Sequence, residues 1–270
     1  AGSLPGDIRV VRRRQYRRTL RRALGVPGLF SMIYANVGSS IYYALGVTAI
    51  YALGATPLVF IVAGIFFFFT ALSYAEGTSA IPEAGGASSF ARKGLNEFWS
   101  FFAAWAQILA YVVTIAISAY TAIGYLGYFF PALEVRTYHL IATSLLLLIL
   151  MVLNIRGVKE SSTFNVTVTL FDLFTQILLV AVGAVLLLNL KTLFTQVHWG
   201  VAPTWGNLIF SLSIVMVSFT GIETTSNMAE EAKQAEKSVP RAIFLCVAAV
   251  LILFTGISSL ALSAMPVQME

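Results

Sequence analysis

The sequence predicts an all-α, polytopic membrane protein, and three observations predict it. Of its 270 residues 58% are hydrophobic and only 11% charged, more apolar surface than a soluble domain of this size can hide. The mean hydropathy is +0.84, and the apolar residues fall in continuous runs near bilayer length. Strict alternation of apolar and polar residues, which a transmembrane β-barrel needs, is missing.

Seven spans follow from the apolar runs, at 29–53, 58–80, 98–122, 137–154, 163–190, 207–230 and 241–264. The turn Gly54-Ala-Thr-Pro57 closes the first, and Ile81-Pro-Glu-Ala-Gly-Gly86 follows the second as a tight or re-entrant turn with a possible gating role. Ahead of them a basic segment, 1–28, carries Arg9, Arg12, Arg13, Arg14, Arg17, Arg18, Arg21 and Arg22. Next to a span, such a run reads as a cytoplasmic topology signal that attracts anionic lipid, rather than as a nucleic-acid patch. No cleavable signal core is visible in the first residues. An N-terminus in the cytoplasm puts 15 of the 17 basic residues inside and leaves only Arg136 and Lys191 outside, so this orientation is expected. Trp199 and Trp205 suit an interfacial belt, and the chain is expected to end outside.

Two spans carry an oddity. Asn36-Val-Gly-Ser-Ser40, inside the uncharged run 23–75, is a poor helix former. An interrupted helix in lipid is tolerated only where it lines a protein cavity. The bland alternative is close helix packing through Gly38 and the serines. In the sixth span Ser218-Phe-Thr-Gly-Ile-Glu-Thr224 puts Gly221 and the carboxylate of Glu223 near the middle of an apolar run. The first and sixth spans run in opposite directions, as an inverted repeat demands, and a pair of broken helices points to a substrate site.

These motifs resemble those of the amino acid–polyamine–organocation (APC) superfamily of permeases. Gly38-Ser39-Ser40-Ile41 matches its first-helix break, with Ser40 in place of a glycine. Pro82-Glu-Ala-Gly-Gly86 matches its cytoplasmic loop. Phe219-Thr-Gly-Ile-Glu223, Ala229-Glu-Glu-Ala-Lys233 and Lys237-Ser-Val-Pro-Arg-Ala-Ile243 match its sixth-helix region. The resemblance implies a LeuT-type (APC) fold with an inverted repeat: a first five-helix repeat over 29–190 and two helices of the second over 207–264. The family usually has twelve spans. The missing C-terminal helices or a homodimer partner are therefore expected to complete the site, and this chain alone is expected to transport poorly.

The resemblance implies transport of amino acids across the plasma membrane by proton symport or exchange, with organic amines or polyamines as the alternative substrate. No cofactor is expected; the coupling ion is a proton or sodium. Val37, Gly38, Ser39, Ser40 and Ile41 would bind the substrate carboxylate, because a half-helix starting there offers free N–H groups and a positive dipole end. Phe219, Thr220, Gly221 and Ile222 would hold the amine through freed carbonyls, with Phe219 as an aromatic gate. Glu223 would position the unwound segment or take part in proton coupling.

The fifth span places Asn165, Thr169, Asp172 and Gln176 on one face. Asp172 is the acid inside that span, and intramembrane acids are functional candidates by default. It is expected to carry the coupling proton, or else to anchor a neighbouring helix. Gln107, Tyr111, Thr114 and Ser118 make a similar face on the third span, read first as packing and second as a cavity wall. The rival class, an intramembrane enzyme, needs a nucleophile–base or metal cluster. Cys246, His139 and His198 form no such pattern.

Overall fold

A computed structural model describes residues 24–155, 161–195, 197 and 201–265. The basic segment before Leu24, together with Arg156, Lys159, His198, Trp199 and the last five residues, lies outside the described residues, as does the side chain of Asn165.

The described chain is helical. Helix α1 (Val26–Val37) continues through a 3-10 turn at Gly38–Ser40 into α2 (Ile41–Ala52), and a second 3-10 turn at Leu53–Ala55 leads to α3 (Thr56–Ala80). Then follow α4 (Ala87–Gly94), α5 (Glu97–Gly127), α6 (Arg136–Ile155), α7 (Ser161–Leu186) and α8 (Leu190–Thr195). The sixth span is divided into α9 (Trp205–Ser218) and α10 (Glu223–Asn227), and α11 (Ala235–Ala264) is the seventh. Their starts are chemically marked. Pro27 and Pro57 stand in first turns where no N–H is needed. Asn96 accepts from Trp99 N at 3.2 Å, and Thr204 from Asn207 N at 3.3 Å, as N-caps.

Six helical stretches among the described residues are long and apolar enough to cross a membrane. The first, Val26–Ala80, has 55 residues, about 80 Å of helix against a hydrocarbon core of about 30 Å. It holds the first two predicted spans, and the reversal lies at Leu53, whose φ of 48° and ψ of −131° leave the helical region. Both ends confirm the reversal. Leu24 N donates to Glu231 O (3.0 Å) and Lys233 N to Leu24 O (2.8 Å), while Thr78 at the far end of α3 bonds Ser226 (2.6 Å). Start and finish thus meet the same short stretch, 226–233.

Four spans form the centre. α11 packs along α3 and α1, α2 lies against α9, and α1 against α10, so the first and sixth spans are antiparallel neighbours. Half of the apolar window is buried in Val26–Ala80 and in α11, against 6% in α5 and 11% in α6. Helices α5 and α6 therefore present most of their surface outward, as lipid-facing helices do. The core joins Leu29, Ile33, Val37, Phe60, Val215, Val250 and Phe254.

Between the second and third spans lies α4, whose last turn carries Arg92 and Lys93 at the favourable end of the helix dipole. Pro240 inside α11 cannot bond Glu236 O, and Ser79 Oγ donates to that carbonyl instead at 3.4 Å. Exposed Gln234, just before α11, sits in the left-handed region at φ 51°, ψ 60° with no capping bond from its side chain. Gln234→Gly is expected to stabilise the protein by roughly 0.5–1 kcal/mol, read as a higher melting temperature in detergent; an unchanged or lower value refutes it.

Candidate functional site

The site grows from the two odd stretches, which behave differently. Span one is not opened at Gly38. Val37, Gly38, Ser40 and Ile41 all keep right-handed helical dihedrals, so the chain tightens for one 3-10 turn and stays wound. The expected half-helix start with free N–H groups is absent there. Ser39 Oγ donates to Ala35 O (2.9 Å), and Ser40 Oγ to Asn36 O (3.3 Å) while accepting from Tyr43 O–H at 2.7 Å. Tyr34 packs its ring along this turn. A Cβ on Gly38 would stand 2.6 Å from Tyr34 Cζ, so the glycine exists for that close approach. Val37, Gly38, Ser40 and Ile41 are buried in the bundle, and of the five residues Ser39 lines the outer cavity described below.

Span six does open. After α9 ends, Phe219 sits at φ −90°, ψ 2°, and Gly221 takes φ +126°, a conformation that residues with a Cβ rarely adopt. Helical bonding resumes with Thr224 N donating to Gly221 O at 3.1 Å. The carbonyls of Phe219 and Thr220 accept no hydrogen bond among the described residues. Glu223 holds the break from below: its Oε2 accepts from Gly221 N at 2.9 Å, a charge-assisted bond that fixes the turn.

The two stretches meet. Asn36 lies directly against Gly221, where a Cβ would come within 2.8 Å of Asn36 Cγ, and its Nδ2 donates to Thr224 Oγ1 at 3.1 Å. Around the break is a cavity of about 410 Å³ bordered by Phe67, Tyr74, Gln107, Phe219, Thr220 and Glu223. The Phe219 ring is sandwiched between Phe67 (centroids 4.8 Å) and Phe254 (5.3 Å), so the residue read as a gate is clamped in a three-ring stack. On the outer side, a cavity of about 360 Å³ adjoins Ser39, Tyr42, Tyr43 and Tyr125.

Asp172 is tied to span one. Tyr42 O–H donates to its Oδ1 at 2.6 Å and Gln176 Nε2 to its Oδ2 at 3.0 Å. The same amide reaches Gly38 O at 3.3 Å, the carbonyl of the 3-10 turn. Gln176 Oε1 is buried without a partner among the described residues. The loop after α3 is latched to the end of the sixth span: Ala84 N donates to Glu230 Oε1 at 3.2 Å, and Gly86, at φ +48°, abuts Asn227. Asn227 Nδ2 in turn donates to Tyr111 O–H at 3.0 Å, as does Gln107 Nε2 at 2.9 Å.

Tyr42, Tyr125 and Asn227 were not singled out by sequence pattern, and Asn36 was read only as part of a helix-breaking stretch. Asn36 carried a signal, an amide in an uncharged run. The tyrosines carried none, because aromatic residues are common in spans and only the bundle decides which face inward.

Residues 24–269 match the amino acid permease family. The chain belongs to that family. It is similar to the branched-chain amino acid permease BcaP of Bacillus subtilis (strain 168), 26% identical over 92% of this chain and 56% of that protein. It is also similar to the methylthioribose transporter of the same organism, 27% identical over 77% of this chain and 47% of that protein. The low-affinity putrescine importer PlaP of Escherichia coli (strain K12) is 28% identical over 70% of this chain and 42% of that protein. The chain spans about half the length of the curated relatives it matches. Family and helices together make it a multi-pass α-helical protein of the plasma membrane, in a family of permeases rather than enzymes.

Proposed function

We propose that the chain acts in secondary active transport of amino acids, with the substrate seated where the first and sixth spans meet. The observation that carries this reading is the opened backbone at Phe219–Ile222, with two unpaired carbonyls and the Glu223 carboxylate, lying against Asn36 of an antiparallel helix. Unpaired carbonyls inside a membrane bundle cost several kcal/mol each unless a ligand or water meets them, and an ammonium group meets them best. The substrate carboxylate would lie on the span-one side. With no free N–H groups there, we assign it to the Ser39 hydroxyl, which can rotate away from Ala35 O to donate. Val37, Gly38, Ser40 and Ile41 hold that hydroxyl in place, and Gly221 and Ile222 shape the opposite wall.

In this reading residues 29–190 form a first five-helix repeat and 207–264 the start of an inverted second one, moving against each other. Asp172 carries the coupling proton, and Glu223 positions the break. Further helices, or a second copy of the chain, complete the substrate cavity. Organic amines are the second substrate class, favoured by the putrescine importer among the relatives.

The test is binding and uptake of radiolabelled amino acids by the protein in proteoliposomes, with and without an inward proton gradient. Saturable binding abolished by Thr220→Trp, which fills the cavity beside the break, is expected. Absence of binding for every amino acid and amine tried would sink the reading.

A further inference from the structure

The outer cavity adjoins the Ser39 hydroxyl assigned to the substrate carboxylate, and the rest of its wall has a particular chemistry. It is walled by Ser39, Tyr42, Tyr43, Ser118, Thr121 and Tyr125 on α2, the 3-10 turn and α5. Its volume of about 360 Å³ is within the range of small-molecule sites. Three phenol rings share the space, and all three hydroxyls are tied to the protein. Tyr42 O–H donates to Asp172 (2.6 Å), Tyr43 O–H to Ser40 (2.7 Å) and Tyr125 O–H to Tyr42 O (2.7 Å). With the hydroxyls committed, it is ring surface that the tyrosines offer to the space, and Tyr42 and Tyr125 stand edge to face, with centroids 6.2 Å apart at 83°. Ser118 and Thr121 add hydroxyl oxygens as acceptors.

Charge selects among possible occupants. Among the described residues no lysine, arginine, aspartate or glutamate lines the cavity. Asp172 lies one hydroxyl behind the wall, and its bond to Tyr42 enriches that ring in electron density. Aromatic faces attract cations and repel anions, so an anionic side chain meets both the rings and the Asp172 field. A neutral alkyl chain fits the rings but leaves the hydroxyl acceptors unmatched. An ammonium matches both.

We infer that this cavity is a subsite for a second cationic group, the side-chain ammonium of a dibasic amino acid or the far end of a diamine. This rests on the proposed substrate site and names the class of substrate that the site takes. Tyr125 and Tyr43 are specificity-determining residues on this account.

The test is equilibrium binding of L-lysine, L-norleucine and L-glutamate to the protein in nanodiscs, three ligands alike except in side-chain charge. Lysine is expected to bind about tenfold tighter than norleucine, with glutamate weakest. Tyr125→Leu is expected to erase most of the lysine advantage and leave norleucine within about twofold, while Tyr125→Phe, which keeps the ring, retains it. Tyr43→Leu gives the same readout should Tyr125→Leu fail to fold. Equal binding of lysine and norleucine, or equal weakening of both by the leucine variants, overturns the subsite while leaving amino acid binding intact. Failure of all three ligands to bind overturns the proposed function and the subsite with it.

Discussion

Gly221→Ala is expected to abolish substrate binding and to lower stability by about 2–4 kcal/mol, the larger part of it from two independent clashes. The first is local: at φ +126° a Cβ is strained whatever surrounds it. The second is tertiary, since the new methyl would stand 2.8 Å from Asn36 Cγ and Nδ2 and would push span one off the break. Asn36→Ala added to Gly221→Ala removes the second clash and not the first, so partial recovery of the melting temperature is expected, a coupling that a double-mutant cycle reads directly. Gly46→Ala is the control. It lies within α2 with nothing inside 4 Å of an added Cβ, and its effect is expected to be neutral or slightly stabilising. Equal melting temperatures and binding for Gly221→Ala and Gly46→Ala would show that the break is dispensable.

Asp172→Asn is expected to separate binding from coupling. Asparagine keeps the volume and one acceptor oxygen, so Tyr42 can remain bonded, and substrate affinity is expected to stay within about threefold. What is lost is the charge. In the present arrangement the carboxylate takes Tyr42 O–H at 2.6 Å and the Gln176 amide at 3.0 Å, both charge-assisted and about twice as strong as neutral bonds. Gln176 also holds Gly38 O, so protonating Asp172 slackens one path between the fifth span and the 3-10 turn. In the proposed coupling, a proton arriving there would act on the turn that carries Ser39. Substrate-driven acidification, followed with a pH-sensitive dye inside proteoliposomes, is expected to vanish in Asp172→Asn while binding persists. Wild-type proton movement in that variant would remove Asp172 from the coupling role.

Much of the molecule was legible before any coordinates. The apolar runs gave the helices to within a few residues, because a bilayer demands continuous apolar length. Gly221 read correctly as the point where the sixth span opens, since a glycine followed by a carboxylate two residues on has few uses inside lipid. Gly38 read as the same kind of break, and there pattern misled. Glycine and serines weaken a helix without dictating what replaces it. Here the serine hydroxyls turned back onto Ala35 O and Asn36 O, and Gln176 took the Gly38 carbonyl, so the turn tightened instead of opening. Phe219 was read as a gate on its position, but its ring direction depended on Phe67 and Phe254 from distant spans.

By itself, then, the sequence determined the membrane class, the apolar helices and the opening at Gly221, because hydropathy and glycine conformation are properties of short stretches. The tertiary structure alone decided which polar groups face one another. Asn36 against Gly221, Tyr42 on Asp172 and Tyr125 on Tyr42 are meetings of residues on different helices, set by rotation and packing that no local pattern encodes.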